Sequence, residues 1–294
     1  MPLGLTDLQT QPTLSDRVKL SSETLDRHWR LRAQRSRQTE SLMTTPTPLT
    51  DMFLRKLDSI HVLDPDDRKA VDRLPLQTAE IRADQDIVRE GDRPTRSCFL
   101  LSGMAYWYKV TGEGKRQILS FQIPGDLPDM QSIHLSTLDS TLTTLSPSTV
   151  AFVQHEPLRD ICARRPNVAS AFWRMTLIDA SIFREWVANV GSRQAYGRVS
   201  HLLCEMVVRL GAVGLADGYS CELPITQTEL ANATGLSTVH VNRTLQALRR
   251  KKLIHWKDSR LDVLDWPGLR EAGDFDATYL HLRKSPSQRR PDNQ

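Results

Sequence analysis

The sequence lacks the features that define several large classes of protein. No apolar run approaches the ~20 residues of a membrane-spanning helix, and residues 1–11 show no signal pattern of charged and then apolar residues. The four cysteines, at positions 98, 162, 204 and 221, form no CxxC or CxxH pair, which disfavours zinc fingers and clustered iron–sulfur ligands. We therefore expect a cytoplasmic protein with reduced thiols, no resident metal or cofactor and no membrane partner.

Motifs for catalysis are missing as well. GxSxG, HExxH and Walker-type loops do not occur in the sequence. Asp126 and Asp129 lie beside a turn and are the nearest approach to acid–base chemistry, but aspartates in such positions are more often turn formers. An enzyme stays open as an alternative class, and no catalytic residue is predicted.

The charge is unevenly distributed along the 294 residues, a length that suits about two domains of ~150 residues. Residues 50–165 carry 15 Lys and Arg against 17 Asp and Glu, whereas residues 226–260 carry seven against two. A basic segment of this size predicts a phosphate-binding surface. The alternative is a solvated helix face, and the pattern around the charges must decide.

Both ends of the chain are predicted to lie outside the folded domains. Residues 1–49 are rich in Ser, Thr, Gln and Arg, which predicts a disordered polar extension. Met43 directly precedes the globular pattern and is a candidate translation start, with a genuine basic arm as the alternative. Residues 271–294 are predicted to form a C-terminal tail.

Residues 50–165 are predicted to form a domain with an antiparallel β core. Runs rich in β-branched and aromatic residues alternate with glycine turns, which is typical of a barrel or sandwich. The clearest hairpin pairs residues 104–110 with residues 115–123. The runs are 98-CFLL-101, 104-MAYWYKV-110, 117-QILSFQI-123 and 149-TVAFV-153.

Residues 166–192 predict one long helix that begins at Pro166. Four apolar residues recur along it at heptad-like spacing, and the helix connects a β domain to a basic helical domain. This stripe predicts a dimer seam, and packing within the same domain is the alternative. The seam residues are Ala171, Met175, Ile178 and Ile182.

A helix-turn-helix is predicted for residues 224–254, inside a C-terminal domain of residues 193–270. Thr226 and Glu229 have the spacing of a capping box, and Gly235 is suited to end the first helix. Ser237 caps the second helix. Two short strands follow around 257-KDS-259 and predict a basic wing.

The second helix of this motif has an apolar face and a polar face. An arginine on the polar face can contact O6 and N7 of guanine together, so double-stranded DNA is the predicted partner, with a helical hairpin of exposed basic face as the alternative. The predicted base-reading residues are Thr238, Val239, His240, Asn242 and Arg243, and the predicted contacts to the DNA backbone are Thr226, Thr228, Ser237, Arg249, Lys251, Lys257 and Arg260.

With these elements the chain resembles the Crp/Fnr family of bacterial transcription regulators over residues 55–265. The resemblance rests on 91-GDRPTRSCFLLSGMAYWY-108, 124-PGDL-127 and the helix-turn-helix. It implies an α+β fold with an N-terminal antiparallel β-roll (a double-stranded β-helix), a long dimerisation helix and a C-terminal winged helix-turn-helix. It also implies a homodimer that senses an effector, reads a two-fold symmetric site with recognition helices ~34 Å apart, and contacts RNA polymerase.

The sensor motif departs from that of the cyclic-nucleotide members, which have Gly-Glu-Leu followed by an arginine that pairs with the phosphate. The arginine is replaced here by Asp139, and no Lys or Arg occurs from Gln117 to Leu158. This disfavours a cyclic nucleotide, and the effector is unidentified. The predicted effector pocket comprises Gly125, Asp126, Leu127, Asp139 and Ser140.

Two further departures concern redox sensing and base reading. Residues 1–97 contain no cysteine, so the iron–sulfur cluster of the redox members is not expected. Val239 stands where the family often has a glutamate that reads cytosine, so the DNA half-site of this chain is expected to differ from that of the family.

The function predicted from the sequence is that of a sequence-specific DNA-binding regulator. The alternative is a constitutive or architectural DNA-binding protein with a vestigial sensor.

Overall fold

The N-terminal half of the structure, residues 50–165, is a roll of two antiparallel sheets flanked by helices. The computed structural model describes residues 50–283. The predictions for residues 1–49, including a start at Met43, and for residues 284–294 lie outside the described residues. In chain order the elements are α1 (Asp51–Ile60), α2 (Pro65–Asp72), β1 (Gln77–Ile81), β2 (Asp86–Val88), β3 (Arg96–Ser102), β4 (Ala105–Val110), β5 (Arg116–Gln122), a 3₁₀ helix (Met130–Ile133), β6 (Thr141–Thr144), β7 (Ser148–Gln154) and α3 (His155–Arg164).

The two sheets of the roll have the strand orders β1-β7-β3 and β2-β6-β4-β5. The predicted hairpin is confirmed, since Ala105 of β4 lies opposite Gln122 of β5 and Val110 lies opposite Arg116. Alternate side chains of the strands fill the interior, as expected for sheets with one buried face. The buried interior residues are Cys98, Leu100, Ala105, Trp107, Leu138, Leu142 and Val150.

The C-terminal half, residues 193–273, follows one long helix and is a winged helical domain. Its small sheet has the strand order β10-β11-β9-β8. Asp258 and Ser259 connect β10 to β11 with φ angles of 49° and 62°, a pair of left-handed residues that suits a tight two-residue hairpin. Together the two halves confirm the predicted α+β fold class. The elements are α4 (Pro166–Ser192), α5 (Ala195–Ala212), β8 (Ala216–Asp217), β9 (Ser220–Glu222), α6 (Gln227–Thr234), α7 (Thr238–Arg250), β10 (Ile254–Lys257), β11 (Arg260–Val263), α8 (Trp266–Gly273) and a second 3₁₀ helix (Ala277–Leu280).

The predicted dimer seam on α4 faces the interior of this same chain, which corrects that prediction. Ala171, Met175, Ile178 and Ile182 are all buried without a second copy, and the two isoleucines lie beside Ile60 of α1. The alternative, packing within the chain, is what the structure shows for these four residues. Heptad spacing predicts an apolar face but does not identify the surface that covers it.

A second apolar stripe occupies the opposite face of α4 and is exposed. Each residue of an α-helix advances by about 100°. Trp173 and Leu177 follow Ala171 and Met175 by two positions, so they lie about 200° around the helix from the buried stripe. The solvent-exposed fractions are 71 % for Trp173, 56 % for Leu177, 41 % for Phe183 and 69 % for Val187.

Residues 271–283 are folded, contrary to the prediction of a tail from residue 271. Helix α8 continues to Gly273, and the second 3₁₀ helix follows at Ala277. Phe275 and Leu280 are both buried. The few apolar residues of this segment find partners on distant elements, which the local pattern does not reveal.

Candidate DNA-binding interface and effector region

Local capping interactions fix the helix-turn-helix as the sequence predicts. The Thr226 hydroxyl accepts a hydrogen bond from the Glu229 backbone N–H, and the Glu229 carboxylate accepts one from the Thr226 backbone N–H at 2.7 Å. Gly235 ends α6 with a φ of 64°, a left-handed conformation that glycine adopts without steric cost. The Ser237 hydroxyl then accepts from the His240 backbone N–H at 3.2 Å and starts α7.

Helix α7 is held by its apolar stripe and presents its polar face to solvent. Val241, Leu245 and Leu248 are buried, as expected. Of the predicted base-reading residues, Thr238, Val239, His240 and Arg243 are exposed and Asn242 is half-buried. Within residues 50–283, Arg243 has no hydrogen-bond or ion-pair partner, so its guanidinium is available to a ligand.

Two glutamines that were not assigned to base reading join Asn242 on this surface. The Asn242 Nδ2 donates to Gln227 Oε1 at 3.1 Å, and Gln246 Nε2 donates to Asn242 Oδ1 at 2.9 Å. The spacing of four residues could have indicated Gln246, because such residues are neighbours on a helix. Gln227 comes from α6, and no local pattern pairs it with Asn242.

The residues predicted to touch the DNA backbone are all exposed, and each of the four basic ones already has a partner. Arg249 donates to the carbonyl of Trp256 in β10 at 3.0 Å, which ties α7 to the wing. Lys251 lies 5.0 Å from the centre of the Tyr196 ring. The other pairs at this surface are Lys257 with Asp258 at 3.8 Å and Arg260 with Asp262 at 3.2 Å; the hydroxyl residues Thr226, Thr228 and Ser237 lie at the two helix starts.

The five residues of the predicted effector pocket make separate contacts in the structure. Gly125 has a φ of 94°, and a Cβ there would lie 2.6 Å from the Met52 carbonyl oxygen of α1. Leu127 and Ser140 are buried. Asp139 is exposed and lies 3.6 Å from Lys109 Nζ. The motif therefore supports packing against α1 instead of a pocket.

Asp126, the carboxylate of that motif, belongs to a buried ionic cluster between the two halves. Its Oδ1 lies 2.6 Å from Lys56 Nζ, and its Oδ2 lies 3.1 Å from Arg209 Nη2 of α5. Burial raises the pKa of Asp126, but the charges of Lys56 and Arg209 outweigh it and hold the pKa below its usual value. Arg209 also donates to Glu205 at 3.2 Å and to the Phe121 carbonyl at 2.9 Å.

An open polar cleft of about 550 Å³ lies on the outside of the roll. The side chain of Arg159 is fixed at its edge by donation to the Ile133 carbonyl at 2.8 Å. His155 Nε2 lies 3.0 Å from the Ser132 hydroxyl, and burial, followed by the charge of Arg159, lowers the pKa of His155. The other polar lining residues include Arg93, Thr95, His134, Ser136, Gln154 and Glu156.

The cysteines are unpaired and not activated. All four are free thiols, three buried and Cys162 half-buried, and burial raises their pKa values. Among residues 50–283, no cluster of three or more His, Cys, Asp or Glu is arranged to hold a metal. No helix in that range is long and apolar enough to cross a membrane.

A β-roll joined by a long helix to a winged helix-turn-helix defines a class of two-domain DNA-binding regulators. Two family models match the chain, a cyclic nucleotide-binding domain over residues 78–165 and a Crp-like helix-turn-helix domain over residues 197–272. The chain belongs to the Crp/Fnr family of transcription regulators. Regulators of this family bind DNA and act as dimers.

Relatives and solved structures agree with this assignment. The chain is 26 % identical over 198 residues to the transcriptional activator protein FnrL of Cereibacter sphaeroides, covering 66 % of this chain and 79 % of the relative. It is 22 % identical to the anaerobic regulatory protein of Haemophilus influenzae, covering 83 % and 89 %. The fold is similar to FixK2 of Bradyrhizobium japonicum, with a TM-score of 0.62, 22 % identity and coverage of 68 % of this chain and 98 % of that one.

Proposed function

We propose that this chain acts as a homodimer that regulates transcription by reading a two-fold symmetric DNA site with α7. The exposed polar face of α7 carries this proposal, with the unpaired Arg243 as its central residue. A guanidinium can donate to guanine O6 and N7 together, and this is the commonest specific contact in the major groove. Thr238, Val239, His240 and Asn242 are proposed to read the neighbouring bases.

The proposed dimer interface is the exposed stripe of α4 that contains Trp173, Leu177, Phe183 and Val187. Large exposed apolar side chains in a row on one helix favour burial against a second copy. They share one face of the helix, and such a face suits the self-complementary interface of a symmetric dimer. This surface replaces the seam that the sequence predicted on the opposite face.

The DNA backbone is proposed to lie along the helix starts and the wing. Thr226, Thr228 and Ser237 offer hydroxyls beside helix N-termini, which favour phosphate. The basic side chains Lys251, Lys257 and Arg260 are exposed within the same half and add attraction that depends on salt. The DNA-bound dimer is proposed to regulate transcription in the cytoplasm by contacting RNA polymerase.

Effector binding in the interior of the roll would require displacement of buried side chains such as Trp107 and Leu138. The outer cleft is already open and has Arg93 and Arg159 among its lining residues. We therefore favour this cleft as the place where a small anionic effector enters. Cyclic nucleotides are not favoured, because Asp139 stands where a phosphate-pairing arginine is expected.

Selection of binding sequences from a random DNA pool tests the proposed function. The purified chain is expected to enrich an inverted repeat with a guanine in each half-site. Arg243→Ala is expected to lose the preference for that guanine, and Arg164→Ala, which changes an exposed arginine of α3 paired with Asp160, is the matched control. Binding that depends on salt alone, without an enriched sequence, would instead favour the architectural alternative.

A further inference from the structure

The segment Phe275–Arg283, called the strap below, begins on the C-terminal half. Phe275 packs edge-on against His201 of α5, with ring centroids 5.2 Å apart. The ring of Tyr279 stacks on the same histidine, and its hydroxyl donates to Glu205 Oε2 at 2.8 Å. The first part of the strap is therefore fixed to α5.

The other end of the strap is fixed to the N-terminal half. The backbone N–H of Arg283 donates to the Ser59 carbonyl at 2.7 Å. Its Nη1 donates to the carbonyls of Asp58 and His61 at 2.9 and 2.8 Å. The last carbonyls of a helix lack partners within the helix and carry partial negative charge, so a guanidinium suits the end of α1 well.

Between its two ends the strap also touches the long helix. Leu280 is only 2 % exposed and lies with Ile60 of α1 and with Ile178 and Ile182 of α4. Arg174 of α4 donates to the Ile60 carbonyl at 2.7 Å and to the His281 carbonyl at 3.4 Å. The strap thus joins α1, α4 and α5.

Glu205 of α5 links the strap to the long helix and to Arg209. Its carboxylate is fully buried and accepts from Trp186 Nε1 of α4 at 3.0 Å, from the Tyr279 hydroxyl and from Arg209 Nη1. A buried carboxylate with all of these donors holds them in one arrangement, since loss of any donor leaves charge unsatisfied.

The joint between α4 and the C-terminal half is short, because only Arg193 and Gln194 separate α4 from α5. Rotation about so short a joint would change the direction of α7 relative to α4. Ties outside the joint limit that freedom: the buried pair of Arg209 and Asp126 is one, and the strap is another.

We propose that the strap positions the recognition helix α7 relative to α4 and thereby sets the spacing between the two half-sites. This inference rests on the proposed function, in which α4 forms the dimer axis. Tyr279 and Arg283 are positioning residues in this scheme and do not touch DNA. Each half-site is read by α7, whereas the distance between half-sites depends on the angle that the strap fixes.

The test compares spacer lengths in the inverted repeats selected by the wild-type chain and by Arg283→Ala. The wild type is expected to select one spacer. Arg283→Ala is expected to select the same half-site with spacers that spread by one or two base pairs, and to bind the best spacer several-fold more weakly. Arg164→Ala should reproduce the wild-type distribution.

Tyr279→Phe provides a second, milder variant should Arg283→Ala fold poorly. It keeps the ring but loses the bond to Glu205, and an intermediate spread of spacers is expected. Hydrogen exchange of residues 275–283 measures whether each variant has released the strap.

Two results would overturn the inference. A released strap with an unchanged single spacer would show that the strap only stabilises the fold. Absence of an enriched inverted repeat with the wild type would contradict the proposed function itself, and the inference with it. If the half-sites are still enriched but the spacer does not change, only the role of the strap is contradicted and the proposed function stands.

Discussion

Arg209 Nη2 of α5 and Asp126 Oδ2 of the roll form a buried ion pair at 3.1 Å. This pair joins a residue of the Gly-Asp-Leu motif to an arginine 83 positions further along the chain. Asp126 is therefore occupied within the protein, and its carboxylate is not free to bind the ribose of a nucleotide. The same pair holds the C-terminal half against the roll.

Arg209→Ala is expected to destabilise the chain by about 3–5 kcal/mol, because it leaves the buried carboxylates of Asp126 and Glu205 with fewer partners. Arg164→Ala, in an exposed pair with Asp160, should cost no more than about 1 kcal/mol. Urea unfolding of both variants measures the difference. Equal small losses would show that the buried pair contributes little.

A second buried carboxylate should make stability depend on pH. Burial raises the pKa of Asp129 to about 7, although the Cys98 backbone N–H donates to its Oδ1 at 2.9 Å. The raised pKa means that the folded state binds the proton more tightly than the unfolded state, whose value lies near 3.8. The stabilising contribution is therefore present below about pH 4 and is lost as the pH rises to about 7.

Asp129→Asn tests this dependence, since Asn retains an oxygen that can accept from Cys98. The variant should gain stability over the wild type by about 3 kcal/mol as the pH rises from 5 to 8, since the folded-state pKa lies about two units above pH 5. Urea midpoints at several pH values give the difference. Asp126 has a lowered pKa, so its contribution to stability is lost as the pH falls. Because Asp126 is present in both proteins, this contribution cancels in the difference between them.

Local patterns allowed the helix-turn-helix to be predicted closely. Thr226, Glu229, Gly235 and Ser237 act over three or four residues, so their roles follow from spacing alone. The wing and the hairpin of β4 and β5 also depend on neighbouring residues. The same applies to the bounds of α4, which begins at a proline.

Long-range contacts explain the predictions that failed. The stripe with Ile178 has regular spacing, but its partner is α1 of the same chain, and no local signal identifies that partner. The tail prediction failed because Arg283 binds main-chain carbonyls of α1, which any residue type could supply. Asp126 is predicted to line a pocket from its Gly-Asp-Leu motif, and no local signal identifies Arg209 of the other half as its partner.

Substitution by glutamate is expected to have different effects on the two faces of α4. Val187→Glu on the exposed stripe should yield folded monomers, because the side chain is exposed in the single chain, and their melting temperature should fall only by the lost stabilisation from dimer association. Ile178→Glu should unfold the chain, because it buries an unpaired charge. Sedimentation and thermal unfolding distinguish the two results. A dimeric Val187→Glu protein would place the interface elsewhere.

Cyclic AMP is expected to leave the melting temperature unchanged at millimolar concentration. A ligand that binds only the folded state raises stability in proportion to the logarithm of its concentration, and no arginine is available in the 117–158 segment to pair with the phosphate. Thermal unfolding with and without the nucleotide measures the effect. A rise of several degrees would contradict this expectation and would require Trp107 or Leu138 to move.

Substitutions of Arg243 distinguish base reading by α7 from its nonspecific attraction to the charged DNA. Arg243→Lys keeps the positive charge but loses the planar pair of donors that matches guanine O6 and N7. The variant should keep its affinity for random DNA and its salt dependence, while its specific affinity falls by roughly 1–3 kcal/mol and its preference for guanine weakens at one base pair per half-site. Arg243→Ala should lose the same preference while its salt slope changes little, because the lost contact is to a base and not to a phosphate. Competition binding on the operator, on an operator with that guanine pair replaced and on random duplexes, at two salt concentrations, measures the specific affinity, the guanine preference, the affinity for random DNA and the salt slope. Equal losses on both duplexes for Arg243→Ala, with little loss for Arg243→Lys, would mean that Arg243 contacts only phosphate and that the guanine is read by another residue.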